Sequence, residues 1–222
     1  MKIEVVNLSK SFKDNMILNN INLKFESGNI YGLTGLNGSG KSVFLKLLCG
    51  FYEPTNGTIL YDNVDIVKSR IFPPNTRSLI EKPSFLPNLT GFENLKLLAN
   101  IQNKIDDNKI IETLKLVELE SAIHKKYRNY SLGMKQKLGI AQVLMEDPQI
   151  IILDEPFNGI EETTAKKLRN VLINEKNKGK IILIATHIKD DIETLADKIY
   201  KFSDSNIFEI SKEKWFLIVN LI

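Results

Sequence analysis

The sequence predicts an α/β fold, with a core built on a mostly parallel sheet, an antiparallel β segment ahead of it and a helical insertion within it. Three observations carry this. Two continuous apolar runs, residues 150–153 and 181–185, suit strands buried on both faces of a parallel sheet. Residues 30–34 form a short apolar run that feeds a glycine-rich turn, and the turn opens into helical periodicity over 43–51, with Leu45, Leu47 and Leu48 on its apolar stripe. Between these landmarks, residues 90–146 read as helical.

In chain order, residues 3–8 alternate in part and read as a strand. Residues 9–15 read as a polar turn carrying Phe12, and 16–20 and 21–25 as further short strands. Pro54-Thr55-Asn56-Gly57 breaks the chain after the first helix, and 58–66 reads as a hairpin around Asp62-Asn63. Beyond Pro73-Pro74-Asn75, residues 78–80 are a short strand that runs into the loop 81–89. Thr90 and Glu93 fit a capping box, opening a helix with Leu95, Leu97, Leu98 and Ile101 on its apolar face. Further helices are expected over 108–117 and from just after Tyr130-Ser131 to Glu146. Pro148 then precedes the buried run that ends in Asp154-Glu155-Pro156. Helices at 163–178 and 189–196 flank the second buried run, which ends at Thr186-His187. The greasy tail 215–222 reads as a terminal strand or helix packed on the body. One domain is expected, with 1–89 and 147–222 forming the core and β segment and 90–146 the helical subdomain.

Composition excludes several classes. Hydrophobic residues are 43% and charged residues 26%, ordinary for a soluble globular protein. The net charge of +3 is too slight to argue for nucleic acid, and clusters such as Lys125-Lys126-Tyr127-Arg128 read as solvated faces. The single cysteine, Cys49, excludes an intrachain disulfide and a zinc cluster, and it reads as a small buried hydrophobe. Met1-Lys2-Ile3-Glu4 leads straight into strand-like sequence, and no apolar run approaches the length of a membrane span, so a cytosolic protein is expected.

The turn Gly35-Leu36-Asn37-Gly38-Ser39-Gly40-Lys41-Ser42 fits the phosphate-binding loop G-x-x-x-x-G-K-[ST], in the strand–turn–helix context that the motif requires. Glycines let backbone N–H groups close on a phosphate, and the helix N-terminus adds free donors. Lys41 can reach the β- and γ-phosphates, and the Ser42 hydroxyl can ligate Mg²⁺. A glycine turn that binds nothing would need neither. Asp154, at the end of a buried strand, is the usual partner of such a loop and would hold Mg²⁺ beside Ser42. Glu155 is placed to orient or deprotonate an attacking water. Without the loop upstream, the pair could equally cap a strand end. His187 also ends a buried strand, where ligands of parallel sheets sit, and could donate to the γ-phosphate.

With Tyr130-Ser131-Leu132-Gly133-Met134-Lys135-Gln136 between loop and acidic pair, these pieces resemble the ATP-binding subunit of an ABC transporter, from Ile3 to about Phe202. The resemblance implies a P-loop NTPase core of the ABC ATPase type, ATP and Mg²⁺ as ligands, and hydrolysis to ADP and phosphate. It also implies a separate transmembrane permease subunit, met on the inner face of the cell membrane through the loop around Phe85 and Leu86. Two ATPase subunits, as a homodimer or a heterodimer with a related ATPase, would clasp two ATP molecules with the signature of one facing the P-loop of the other. On this basis Phe12 matches the aromatic that stacks on adenine. Ser131 and Gly133 match the signature positions that touch the γ-phosphate across the dimer, and Asn158-Gly159-Ile160-Glu161 matches the D-loop.

The chain departs from the family pattern in places. Leu132-Gly133-Met134 stands where Gly-Gly-Gln is usual, Glu161 replaces an aspartate, and Glu81 replaces the Q-loop glutamine. A carboxylate at 81 can join Ser42 and Asp154 in holding Mg²⁺, but it repels the γ-phosphate without the metal. The stretches 79–83, 86–90 and 130–136 look like the bacitracin- and lantibiotic-resistance branch, which implies export of a peptide, antibiotic or other amphiphile. A non-transport ABC ATPase acting on nucleic acid or ribosomes is the alternative. It is disfavoured by the lack of a coiled-coil insertion and by the single cassette. A small-molecule P-loop kinase would leave the signature and His187 unexplained.

Overall fold

A computed structural model describes residues 1–220, with side chains through residue 217. Strands β1 (Lys2–Phe12) and β2 (Asn15–Glu26) form a long antiparallel pair. The turn expected over 9–15 therefore shrinks to Lys13-Asp14, and the two short strands expected across 16–25 are one. Bulges in the pairing, with Asn7 and Asn20 at positive φ, absorb the irregular sequence. The Ser9 hydroxyl accepts the Asn20 N–H at 2.9 Å, so a polar side chain takes up a bond the bulged ladder leaves open.

Strand β3 (Asn29–Thr34) delivers the glycine-rich loop to α1 (Lys41–Leu48), which stops three residues before the predicted end. The hairpin β4 (Asn56–Tyr61) and β5 (Val64–Asp65) runs directly into a one-turn helix, α2 (Ile66–Ser69). The Asp65 carboxylate caps that helix, accepting the N–H groups of Val67 and Lys68 at 3.0 Å. After β6 (Thr76–Leu79) come α3 (Gly91–Gln102), α4 (Asp107–Leu116) and α5 (Leu132–Leu144). The capping box at the start of α3 has both of its bonds, Thr90 to Glu93 and back. The chain closes with β7 (Ile150–Asp154), α6 (Glu162–Asn177), β8 (Ile181–Ala185), α7 (Lys189–Leu195), β9 (Lys198–Ser203), β10 (Asn206–Ile210) and α8 (Lys212–Asn220). The pair β9–β10 carries no signal that the sequence reading used. For the tail, helix rather than strand is adopted, and Trp215 is buried with Ile192, Ile199 and Ile210. Residues 221–222 of the predicted tail lie outside the described residues.

Among the described residues there are two sheets, a four-stranded antiparallel one in the order β2-β1-β4-β5 and a six-stranded one in the order β10-β9-β3-β8-β7-β6. The second is parallel except where β10 runs against β9. All residues of β7 and β8 are buried, as their unbroken apolar runs require. One apolar core, with Phe25, Tyr31 and Phe44, lies between the sheets around α1. The other joins the helical arm to the far face of the parallel sheet through Leu138, Leu153 and Leu168. Cys49 is buried, and burial pushes its thiol up to about 12, out of the range of a nucleophile. No helix among the described residues is long and apolar enough to cross a membrane.

Candidate functional site

The carboxyl ends of neighbouring β3, β8 and β7 bring three distant segments together: the glycine-rich loop, Thr186-His187 and Asp154-Glu155. Gly40 caps α1 with φ of 101°, a conformation an L side chain resists, and a Cβ there would meet Ile17 at 3.1 Å. Within the loop, Lys41 is buried and its ammonium donates to the carbonyls of Gly35 (2.7 Å) and Leu36 (3.1 Å). Burial lowers its pKa, against the pull of Glu155 and Asp154. A partly desolvated cation held by backbone carbonyls beside free helix donors is suited to an anion. The remaining loop residues, Leu36, Asn37, Gly38 and Ser39, line a second groove with His187 and Trp215. Leu36 is largely exposed, and the Ser39 hydroxyl oxygen is buried without a partner. The run of loop side chains able to meet phosphate or metal ends at Ser42. The next residue is Val43, and its apolar side chain packs half-buried against the core at the cleft wall, with no hydroxyl to offer a ligand.

Ser42 Oγ donates to Asp154 Oδ2 at 2.6 Å. Burial raises the Asp154 pKa, the Ser42 hydrogen bond opposes this, and the like charges of Glu155 and Glu81 add to it. A carboxylate under that pressure beside a hydroxyl fits a divalent cation, which would relieve it. Glu155 sits at φ of 47°, an unfavourable region for a non-glycine residue, held by its N–H bond to the Ala185 carbonyl at 2.8 Å. One of its carboxylate oxygens lies 2.8 Å from His187 Nδ1, and the other is buried with no partner. An orphaned carboxylate oxygen of this kind is suited to accept a hydrogen bond from water. A cleft of ≈ 250 Å³, walled by Ile17, Lys41, Ser42, Asp154 and Glu155, opens over this group.

Two predicted site residues stand apart from that wall. Phe12 is exposed at the end of β1, packed edge-on against Tyr52 at 5.5 Å with the Lys10 ammonium 4.8 Å from its ring. Glu81, at positive φ, makes an ion pair with Lys46 of α1 rather than with Ser42 or Asp154. Ser131 and Gly133 line a separate cleft of ≈ 180 Å³ with Gly159, Ile160 and Glu161. There Ser131 caps α5 by accepting the Met134 N–H at 3.2 Å, and Leu132 is exposed. Gly133 approaches the next loop so closely that a Cβ would lie 2.5 Å from the Gly159 carbonyl oxygen.

The sequence reading missed Ile17, whose place in the cleft wall depends on the undivided β2. It also assigned no role to Gln136, a buried side chain whose amide donates to the Glu155 carbonyl at 3.1 Å. Nothing local marks either residue, since both contacts join segments far apart in sequence.

Fold and site together define a P-loop nucleoside triphosphatase with a helical arm. The family described as ABC transporter matches residues 18–158. The ABC transporter ATP-binding protein YybJ of Bacillus subtilis is 42% identical over 195 residues, covering 88% of this chain and 89% of that protein. The bacitracin transport ATP-binding protein BcrA of Enterococcus faecalis is 36% identical over 93% of this chain and 68% of its own length. The lantibiotic transport ATP-binding protein SrtF of Streptococcus pyogenes is 36% identical over 89% and 85% respectively. A solved ATP-binding subunit of an ABC transporter superposes with a TM-score of 0.86 at 25% identity, covering 100% of this chain and 94% of that one. The cassette MJ0796, in a dimeric post-hydrolysis state bound to ADP and Pi, has the same fold with a TM-score of 0.86 at 24% identity over 94% and 98%. The chain belongs to the ABC transporter family, as an ATP-binding subunit that hydrolyses ATP to ADP and phosphate to drive transport. The nucleic-acid alternative finds no support in these comparisons.

Proposed function

We propose that this chain powers export of a peptide antibiotic of the bacitracin or lantibiotic class through a separate membrane permease, working as an ATP-bound dimer on the inner face of the cell membrane. The kinship with BcrA and SrtF supports the substrate class, and the dimeric state of MJ0796 supports pairing. The single observation that carries the chemistry is the Ser42–Asp154 contact beside buried Lys41 and the half-partnered carboxylate of Glu155.

In this reading Lys41 and the N–H groups of residues 35–42 hold the β- and γ-phosphates. Ser42 and Asp154 would hold Mg²⁺, joined by Glu81 once it leaves Lys46. When bound, the metal neutralises charge on the phosphate oxygens. Glu155 accepts a proton from the attacking water through its free oxygen, while its other oxygen stays with His187, which also donates toward the γ-phosphate. Phe12, with Tyr52 behind it, offers adenine a face. Ser131 and Gly133 serve the nucleotide of the partner subunit, so residues 90–146 act as a mobile arm and 1–89 with 147–222 as the catalytic body.

The test is made in cells carrying the transporter. Lys41→Ala should raise sensitivity to bacitracin- or lantibiotic-class peptides while the subunit still accumulates. Unchanged sensitivity to both classes would remove the substrate assignment and leave the ATPase untouched.

A further inference from the structure

The imidazole of His187 is 60% exposed, yet it is aimed at Glu155. Nothing in its own burial fixes it there, so its direction has to come from the backbone beneath. That backbone is unusually well held. The Thr186 N–H donates to the Leu33 carbonyl of β3 at 3.2 Å, and the Thr186 hydroxyl accepts the Ile188 N–H at 3.0 Å, bridging over His187. The same hydroxyl donates to Asp191 Oδ2 at 2.8 Å. Asp191 Oδ1 takes two further bonds at 2.8 Å, from Nε and Nη2 of Arg169 on α6. Arg169 also reaches Glu162, at the start of α6, at 2.6 Å and lies 5.4 Å over the ring of Phe157, two residues after Glu155.

Thr186, Asp191 and Arg169 are 0%, 1% and 4% exposed. Burial raises the Asp191 pKa against the pull of Thr186 and Arg169, and the charge of Glu155 adds to the push. A charged pair placed this deep is poor glue, because apolar residues of equal volume hold two helices as well or better. What a packed apolar pair cannot do is give a third, directional bond to the residue preceding the histidine.

We infer that Arg169, Asp191 and Thr186 form a positioning unit that fixes the direction of His187 toward Glu155 and links it to the helix following the D-loop. The unit rests on the proposed role of His187 and acts through it. None of the three touches the reacting atoms.

The test is a double-mutant cycle in the full chain, reading kcat, KM, ATP affinity with a fluorescent nucleotide, and the thermal midpoint. Asp191→Asn should lower kcat about ten- to a hundredfold with ATP affinity within about twofold of the parent. Thr186→Val removes only the hydroxyl and should act in the same direction, and Thr186→Ser should restore the rate. In a His187→Ala background, Asp191→Asn and Thr186→Val should cost less than about twofold more, since their effect runs through a ring already gone. If the losses multiply in that background, or if Thr186→Val is as fast as the parent, the unit is merely structural and the inference fails. A His187→Ala chain with unimpaired kcat would instead overturn the reading of His187, and the inference with it. Should Asp191→Asn not fold, the Thr186 pair alone decides.

Discussion

The P-loop half of the site and the signature half differ in how much of their chemistry one chain completes. Around Lys41 and Asp154, buried charges, short hydrogen bonds and strained backbone converge from three strand ends on one cleft. Around Ser131 and Gly133 the groups are modest. A hydroxyl caps its own helix, a glycine sits against a loop carbonyl, and an exposed leucine stands where the family carries glycine. The first has the buried cation and loop geometry suited to an anion. The second has donors at a helix N-terminus, and the loop facing them from its own chain is Gly159-Ile160-Glu161, with none of the P-loop, Asp154 or Glu155 lining that cleft. The difference teaches that one chain brings the P-loop and the acidic pair to a single cleft while Ser131 and Gly133 stay in another.

The largest expected effect tests the first half. Glu155→Gln should lower kcat about 10²- to 10⁴-fold while keeping ATP affinity, and light scattering should find a dimer with ATP and a monomer without. A monomer that still binds ATP would break the comparison, because the signature would then not close unaided. Next, in that trapped background, Ser131→Ala should weaken the ATP-dependent dimer about ten- to a hundredfold by removing a hydrogen bond to a charged group. It should also cost the single chain about 1 kcal/mol through the lost cap. Equal dimerisation of the two proteins would place the γ-phosphate contact elsewhere. Gly133→Ala puts a methyl into the Gly159 carbonyl, so the thermal midpoint should drop by the equivalent of about 1–3 kcal/mol and turnover should fall, with monomer ATP affinity unchanged. The smallest effect belongs to Glu81→Gln, which releases Lys46. The Mg²⁺ concentration for half-maximal hydrolysis should shift only a few fold, in keeping with a surface ion pair. No shift at all would mean that Glu81 never reaches the metal.

The first half was also the more legible in sequence. Lys41, Ser42, Asp154 and Glu155 lie in short contiguous motifs at the ends of apolar runs, so their placement follows from period and punctuation. The buried strands, the capping box and the helical block were readable for the same reason. The long β2 was not, because its polar stretches are sustained by pairing with β1 rather than by alternation. The antiparallel pair β9–β10 escaped likewise. Ile17, Lys46, Gln136 and the Arg169–Asp191 pair act through contacts between segments far apart in the chain, and no local pattern announces such a contact. Phe12 and Glu81 stand out only by family likeness, and each is held by a neighbour, Tyr52 or Lys46, that no motif includes.

The single bond from Gln136 to the Glu155 carbonyl ties the helical arm to the backbone of the acidic pair. Gln136 rides on α5, one turn past Ser131, and its amide grips the peptide of the residue that would activate water. If the arm tilts about its base, that 3.1 Å link must lengthen or drag the carboxylate along. One amide thus ties the helix that carries Ser131 at its cap to the backbone under Glu155, two stretches 19 residues apart in the chain.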